Sequence, residues 1–423
     1  MSATDSTAAI ETVYRMEFPR VVAALTRMVN DIGLAEELAQ DALVDALRQW
    51  PRDGTPRNPG AWLTAVGKRK AVDRFRRDRS LQAKYALLGR DLESSGGSTF
   101  DATEGEVGGD EDIDDDRLRL IFVACHPVLP VPARMALTLR LVGGLTTTEI
   151  ARAYVEPEPT IAQRIVRAKK TIAKAGVPFE IPSGEDRAAR LGAVLEVVYL
   201  IFNEGYSATA GDDWMRPELC GEALRLGRVL AGLAPEESEV HGLVGLMEFQ
   251  SSRLGARLGQ SGEPVLLLDQ DRRRWDRLHI RLGEAALGRA DALAPERGPY
   301  ALQAAIAACH ARAFRAEETN WEELVRLYEE LARRTPSPIV ELNRAVAVSR
   351  AHGPESGLHL VDQLVETGTL ARYHLLSSVR GDLLDQLGRH EEAAEEFERA
   401  AGMAQNNAER ALLLERAEKI RKG

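Results

Sequence analysis

The chain has 423 residues, 44% of them hydrophobic, and a formal net charge of −10 at neutral pH. This length exceeds one ordinary hydrophobic core, so several domains are expected. No apolar run approaches a membrane span and the first residues lack a basic-then-apolar pattern, which argues against a membrane protein or a signal peptide. The three cysteines are far apart and odd in number, which predicts reduced thiols in a cytoplasmic protein.

Composition favours helices throughout the chain. Alanine, leucine, glutamate and arginine are frequent, and no stretch of alternating β-branched residues is long enough to predict a sheet. The sequence therefore predicts an all-α protein. Residues 10–83 are predicted to form a first compact helical unit.

Residues 34–51 of this unit have the pattern of an amphipathic helix. Its apolar face is predicted to contain Leu34, Leu38, Ala42 and Ala46. Its opposite, polar face is predicted to contain Glu36, Glu37, Gln40 and Asp41. Such a face is usually solvated, but it can also dock a basic partner helix.

Residues 58–80, NPGAWLTAVGKRKAVDRFRRDRS, predict a basic helix that follows a polar loop. The side chains that could pack are Trp62, Leu63, Val66, Val72 and Phe75. The cationic side chains on the remaining surface are Lys68, Arg69, Arg74, Arg76 and Arg77. Aromatic and cationic groups beside a polar loop suit single-stranded DNA with unstacked bases. By itself, a solvated basic face remains the simpler interpretation.

Residues 84–116 are predicted to form an acidic, flexible linker. Residues 91–116 contain eleven acids, five glycines and no base, a composition that cannot bury a core.

Residues 117–180 predict a second small helical unit with a helix-turn-helix at residues 145–172. Thr146 to Thr148 can cap its first helix, with Glu149 near the first turn, and Pro159 suits the first position of the second helix. The second helix is predicted to bury Ile161, Ile165, Ala168 and Ile172. Side chains left to face a DNA major groove are Thr160, Gln163, Arg164, Arg167 and Lys170. The alternative is a solvated helical hairpin.

Charge is segregated along the chain, which reconciles an acidic protein with DNA binding. Residues 68–79 carry seven bases against two acids, and residues 164–174 carry five bases and no acid. Local fields, not net charge, decide contact with nucleic acid.

Residues 185–300 predict a further helical region, and residues 301–423 predict degenerate tetratricopeptide-like repeats. Leu324, Leu358 and Ala393 recur at spacings of 34 and 35 residues, and Gly353 and Gly388 are 35 residues apart.

Asn203, Glu204 and Tyr206 predict a satisfied polar turn, with a ligand site as the less favoured alternative. The segment QDRRRWD predicts an intramolecular salt-bridge network. No catalytic, metal-binding or cofactor-binding arrangement stands out, so no enzymatic activity, metal or cofactor is expected.

These elements in this order resemble the extracytoplasmic-function sigma factors of bacterial RNA polymerase. The resemblance covers residues 10–180. It implies that residues 10–83 are sigma region 2, in which the segment AEELAQDA docks on the clamp helices of the polymerase β′ subunit through Glu37, Gln40 and Asp41. It implies that residues 117–180 are sigma region 4, which recognises the promoter −35 element and contacts the polymerase β flap.

The resemblance also assigns the basic helix and the C-terminal half. It implies that the loop before Trp62 holds a flipped base of the −10 element while the basic helix grips the strand. The C-terminal half resembles the subgroup with a long extension that ends in tetratricopeptide-like repeats and regulates the sigma domains in cis or through another protein. One departure is Pro157, which stands where family members often have Ser or Thr at the cap of the recognition helix.

Two other classes of function remain open at this point. A one-component regulator would combine the helix-turn-helix with a sensing domain, but it would not need the basic helix or the acidic-polar face. An enzyme in the C-terminal half has no supporting motif.

Overall fold

The computed structural model describes residues 17–88, 110–154, 156–207, 214–259 and 263–422. Regular structure in these ranges is helical, apart from isolated bridge residues at Leu258, Pro264 and Asn406. The predicted all-α fold class is therefore confirmed. The chain divides into two compact units, Met1–Val197 and Val198–Gly423.

The first unit begins with three helices. They are α1 (residues 17–29), α2 (Ile32–Asp53) and α3 (Pro59–Leu88). Asp31 caps α2 by accepting a hydrogen bond from the amide of Leu34, at 2.9 Å. The core of this part contains Phe18, Val22, Leu25, Leu38, Ala42 and Leu63, each at most 2% exposed. Periodicity anticipated this apolar stripe on α2, although Leu34 itself is half-buried.

The same unit continues with four shorter helices. They are α4 (Asp110–Ala124), α5 (Val131–Leu141), α6 (Thr147–Tyr154) and α7 (Glu158–Ala175). The predicted cap of α6 forms: Thr146 N donates to Glu149 Oε2 at 2.7 Å, and Glu149 N donates to Thr146 Oγ1 at 3.1 Å. The predicted buried positions on α7 are confirmed as Ile161, Ile165, Ala168 and Ile172.

Both ends of the predicted acidic linker are helical. Helix α3 continues to Leu88, and α4 begins at Asp110, inside the segment predicted to be flexible. The reason is that acidic side chains in a first helical turn interact favourably with the helix dipole, which the composition argument ignored. Asp116 is also buried and pairs with Arg119. The middle of the predicted linker lies outside the described residues.

Helix α8 (Gly184–Tyr206) crosses the boundary between the units. In the first unit, Arg190 donates to the carbonyl oxygen of Phe122 at 3.2 Å, and Arg134 forms an ion pair with Glu196 at 3.0 Å. The helical extension predicted from residue 185 thus starts within the first unit, where Arg190 and Glu196 of α8 contact α4 and α5.

The second unit contains the rest of α8 and four helices that follow it. They are α9 (Pro217–Leu233), α10 (Ser238–Ser251), α11 (Arg277–Leu293) and α12 (Pro299–Arg312). Helix α10 packs on α9, α11 and α12. The buried residues around it include Leu246, Phe249, Trp275, Ile280 and Leu302.

The chain then runs through six helices, each packed on the next. They are α13 (Trp321–Arg334), α14 (Pro338–His352), α15 (Pro354–Thr367), α16 (His374–Gln386), α17 (His390–Met403) and α18 (Asn407–Lys422). Leu324, Leu358 and Ala393 are all buried. Gly353 and Gly388 have φ values of 99° and 73°, which suit glycine, at the turns after α14 and α16. The tetratricopeptide-like interpretation stays a prediction.

Candidate nucleic-acid and protein-binding surfaces

Helix α2 presents part of its predicted polar face to solvent. Glu37 and Asp41 are exposed, whereas Gln40 is half-buried and donates through Nε2 to Glu36 Oε1 at 2.8 Å. Glu37 also forms an ion pair with Arg74 of α3 at 2.9 Å. An acidic surface is therefore available along α2, next to the basic surface of α3.

The prediction that Glu36 belongs to this solvated face is wrong. Glu36 is 3% exposed. Its Oε1 accepts a hydrogen bond from Arg140 Nε at 2.6 Å, and its Oε2 accepts one from Lys169 Nζ. Arg140 lies on α5 and Lys169 on α7, so the burial comes from a long-range contact that helical periodicity cannot detect.

Helix α3 carries the predicted aromatic and basic side chains. Trp62 is half-buried and makes an edge-to-face contact with Trp50, with ring centroids 5.3 Å apart. Lys68 is half-buried, and the exposed cations are Arg69, Arg74, Arg76 and Arg77. The prediction that Phe75 could pack is only weakly met, since this side chain remains 37% exposed. Trp62 is thus held beside an open cationic surface.

The loop before Trp62 is fixed at its end by Asn58. The side-chain oxygen of Asn58 accepts a hydrogen bond from the amide of Ala61 at 3.0 Å, at the start of α3. Residues 52–55, before this cap, are exposed. The loop therefore offers solvent-accessible polar groups next to an aromatic ring.

Helix α7 exposes most of the side chains predicted to face a DNA groove. Thr160, Gln163, Arg167 and Lys170 are exposed. Arg164 is half-buried, and its guanidinium donates to both carboxylate oxygens of Glu156, at 2.8 and 2.6 Å. Four of the five predicted side chains are therefore directly accessible, and the fifth is held by a carboxylate in the turn before the helix.

Helix α7 begins without the Ser or Thr cap that family members often have, because Pro157 stands at that position. Pro157 occupies the cap position without a side-chain hydrogen bond, and the helix begins at Glu158. The carbonyl oxygen of Pro157 accepts from the amide of Thr160 at 2.9 Å. Glu158 lies in the first turn, where a negative charge interacts favourably with the helix dipole.

Asn203, Glu204 and Tyr206 lie in the last turns of α8, so the prediction of a separate polar turn here is wrong. Glu204 forms an ion pair with Arg216, and the guanidinium of Arg257 lies 3.6 Å from the centre of the Tyr206 ring. A side chain at Gly205 would come within 2.8 Å of the Arg216 carbonyl oxygen, so glycine permits this close approach. Glu204 and Tyr206 therefore have partners within the protein, which favours a structural role over the ligand site.

The salt-bridge prediction for QDRRRWD is wrong for its first arginine, Arg272. Arg272 is 3% exposed and donates to the carbonyl oxygens of His310 and Ala313, at 2.9 and 3.1 Å, and to Thr319 Oγ1 at 3.0 Å. Within this segment an acid–base pair forms between Arg273 and Asp271. Backbone carbonyls replace carboxylates as partners, and a sequence pattern does not reveal them.

Across the described ranges, no group of three His, Cys, Asp or Glu side chains could hold a metal ion. Each helix in those ranges is either too short or too polar to span a lipid bilayer.

Comparison with known proteins identifies three segments. Residues 13–81 match the sigma-70 region 2 family, residues 119–172 match the sigma-70 region 4 family, and residues 190–291 match a family of unknown function, DUF6596. An uncharacterized protein of Rhizobium meliloti (strain 1021) is 46% identical over 397 residues, which cover 93% of this chain and 92% of that protein.

Two named relatives match about a third of the chain. The ECF RNA polymerase sigma factor SigK of Mycobacterium ulcerans is 29% identical over 150 residues, 34% of this chain and 74% of the relative. The protein of the same name from Mycolicibacterium vanbaalenii is 26% identical over 147 residues, 34% of this chain and 70% of the relative. The chain therefore belongs to the extracytoplasmic-function sigma factors, and it carries a long helical C-terminal extension.

Proposed function

We propose that this sigma factor binds core RNA polymerase through α2, contacts the promoter −10 element through α3 and recognises the −35 element through α7. The observation that carries the proposal is the presence of two basic, exposed helices in one chain. One is α3, which carries Trp62, and the other is α7, the second helix of the helix-turn-helix. Either helix alone would support DNA binding, but not a role in transcription initiation. Together with the family matches, they support initiation of transcription.

Exposed acids on α2 support polymerase binding by this helix. Glu37 and Asp41 are solvent-accessible and lie one helical turn apart, so one partner surface could contact both. The proposed partner is the pair of β′ clamp helices, and region 4 is proposed to contact the β flap. Gln40 is proposed as a third contact, although it is half-buried in the free chain.

The chemistry of α3 supports contact with a separated strand. Arg69, Arg76 and Arg77 are exposed cations that can neutralise phosphates. The half-buried ring of Trp62, braced by Trp50, can stack on an unpaired base. We propose that the loop around Asn58 forms the wall of the pocket for that base.

The exposed side chains of α7 support recognition of a duplex. Gln163 can make paired hydrogen bonds with adenine, and Arg167 can do so with guanine. Thr160 and Lys170 are placed for phosphates or bases at the two ends of the exposed face. Arg164 must leave Glu156 before it can contact a base.

We further propose that the C-terminal extension controls the activity of the sigma regions, acting on them directly or through a regulatory protein. Its stacked helices, α13–α18, have the organisation that usually creates a protein-binding surface. Comparing transcription by the full chain with that by residues 1–197 tests this part. The cut after residue 197 keeps the half of α8 that contacts α4 and α5 through Arg190 and Glu196, which a cut after residue 180 would remove.

The experiment for the main proposal compares two charge reversals on α2 for binding to purified core polymerase. Asp41→Arg places a cation at the proposed contact, and like charges at an interface can cost several kcal/mol. Asp53→Arg makes the same change at an exposed position about 18 Å further along α2. We expect the first variant to lose binding and the second to retain it.

Two outcomes would overturn the main proposal. Equal binding by Asp41→Arg and the unsubstituted chain would remove α2 as the contact. Absence of binding by both the full chain and residues 1–197, with specific binding to duplex DNA alone, would favour the one-component regulator.

A further inference from the structure

A cavity of about 550 Å³ lies within the second unit. Its walls come from α12, α13, α14, α16 and α18, and residues 266–269 form a further side. Sites for small organic ligands usually have volumes of about 300–1,000 Å³. The cavity therefore has the size of a small-molecule site.

The segment that closes one side of the cavity is held in place by its own hydrogen bonds. The amide of Asp269 donates to the carbonyl oxygen of Leu266 at 2.9 Å, and Gln270 Nε2 donates to that of Val265 at 3.1 Å. Leu267 packs against the hydrophobic core of the unit. This wall is therefore formed before any ligand arrives.

Aromatic and aliphatic side chains cover much of the cavity. Trp321 and Tyr328 are half-buried and pack against the same core, and Leu383 is 2% exposed. Burial raises the pKa of the Tyr328 hydroxyl to about 12, so this group remains a hydrogen-bond donor at neutral pH. These walls suit an apolar or aromatic body with a polar substituent.

His310 supplies a buried polar atom to the cavity lining. The residue is 9% exposed, and its Nδ1 has no hydrogen-bond partner among the described residues. Its ring lies edge-to-face on Trp321, with centroids 5.5 Å apart. Burial, together with the charges of Arg253 and Arg272, lowers the pKa of His310 from 6.5 to about 3. An unpaired polar atom of a neutral, buried ring is unfavourable unless a ligand pairs with it.

Two arginines line the same cavity and share one carboxylate. Arg416 donates to Asp382 Oδ1 at 2.5 Å, and Gln386 Nε2 donates to Asp382 Oδ2 at 2.8 Å. The nearest guanidinium nitrogen of Arg350 lies 3.9 Å from Asp382, which is too far for a hydrogen bond. The donors of Arg350 are therefore available to an anion in the cavity.

The charges around the cavity also favour an anion. Arg272 bonds to His310 through the backbone carbonyl oxygen, and its other hydrogen bonds go to Ala313 O and Thr319 Oγ1, which are neutral. Asp269 is a second acid in the lining, but it is exposed, so water screens its charge.

We propose that this cavity binds a small organic carboxylate whose aromatic body carries a hydrogen-bonding substituent. The carboxylate pairs with Arg350, the body lies against Trp321 and Leu383, and the substituent pairs with Nδ1 of His310. This site goes beyond the proposed function, which requires no small ligand. Its ligand would contact helices from both ends of the C-terminal array.

The test measures binding of fluorinated probes to the full chain by fluorine NMR. The probes are 3-fluoro-4-hydroxyphenyl acetate, propanoate and butanoate, which differ in reach, and the primary amide of each acid. Arg350→Gln removes the proposed cation. Arg333→Gln is the matched control, because Arg333 is exposed and does not line the cavity.

We expect at least one acid to bind and its amide to bind at least about tenfold more weakly, because a charge-assisted bond is lost. Arg350→Gln should weaken binding of the acid by a similar factor, and Arg333→Gln should leave it unchanged. The bound acid should also raise the temperature of unfolding, since it binds the folded chain alone.

His310→Phe separates a ligand-binding role from a structural one. The variant keeps an aromatic ring beside Trp321 and removes the unpaired nitrogen. We expect the free variant to unfold at the same or a higher temperature, yet to bind the acid at least about fivefold more weakly. Unchanged affinity for the acid would remove His310 from the site.

Three results would overturn the proposal. Absence of binding by all three acids would refute the site, and equal binding of acids and amides would refute a carboxylate ligand. Equal losses in Arg350→Gln and Arg333→Gln would place binding elsewhere on the chain. The assay contains neither polymerase nor DNA, so failure of the proposed function would leave its result unchanged.

Discussion

Arg164 and Glu156 give the sharpest prediction about DNA recognition. In the free protein the Arg164 guanidinium makes two hydrogen bonds to the Glu156 carboxylate, at 2.8 and 2.6 Å. These use the same two-pronged geometry that arginine uses on guanine. We therefore predict that Glu156 competes with the promoter for Arg164, and that Glu156→Gln tightens binding whereas Arg164→Ala weakens it.

The magnitudes follow from the exposure of the pair and the value of a base contact. The two side chains are 25% and 31% exposed, so solvent screens the ion pair and limits its strength to about 1 kcal/mol. Glu156→Gln should then tighten binding by up to about fivefold. A paired contact to guanine contributes about 1–3 kcal/mol, so Arg164→Ala should weaken binding by about five- to 150-fold.

The assay is equilibrium binding of the full chain, with core polymerase, to a promoter selected from a library with randomised −35 sequences. Arg167→Ala serves as the matched control, because Arg167 is exposed and has no carboxylate to compete for it in this structure's described residues. Equal losses on selected and scrambled −35 sequences would show that the arginines contact phosphates alone. If Glu156→Gln weakened binding as much as Arg164→Ala, Glu156 would be positioning the arginine and the competition argument would be wrong.

Three further predictions concern stability, thiols and salt. Phe397 is fully buried on α17, so Phe397→Ala should lower the free energy of unfolding by about 3–5 kcal/mol in a urea titration, and a loss below about 1 kcal/mol would contradict its packing. Burial raises the pKa of the Cys125 thiol from 9.0 to about 11, so unfolded chains ionise first and stability should fall as pH rises from about 9 to about 11. Urea titrations of the unsubstituted chain and Cys125→Ala at pH 8 and pH 10 check this; an equal loss in both would exclude the thiol. If Arg76 and Arg77 contact phosphates, Arg76→Gln and Arg77→Gln should each lower the slope of promoter affinity against salt by about 1, and an unchanged slope would exclude such contacts.

Local sequence patterns predicted the parts of this fold that local physics controls. Ile161, Ile165, Ala168 and Ile172 are buried as expected, since their spacing places them on one side of a helix. The cap at Thr146 and Glu149 also formed, because it needs only residues three positions apart.

Long-range contacts account for what the patterns missed. Glu36 was assigned to solvent by periodicity, but its partners lie 104 and 133 residues away in sequence. Arg272 bonds to backbone carbonyls on a different helix, which side-chain identities do not reveal. The start of α4 at Asp110 was missed because composition does not record where the acids lie. Acidic residues in a first helical turn favour a helix.

Promoter-directed transcription tests the central account most directly. Purified core polymerase would be supplied with the full chain, or with Asp41→Arg, on a selected promoter and on copies with a scrambled −10 or −35 element. We predict a transcript with a defined start that needs the chain, needs both elements and is lost with Asp41→Arg. Two results together would contradict this prediction: specific binding of the chain to the duplex without polymerase, and no transcript from the full chain or from residues 1–197.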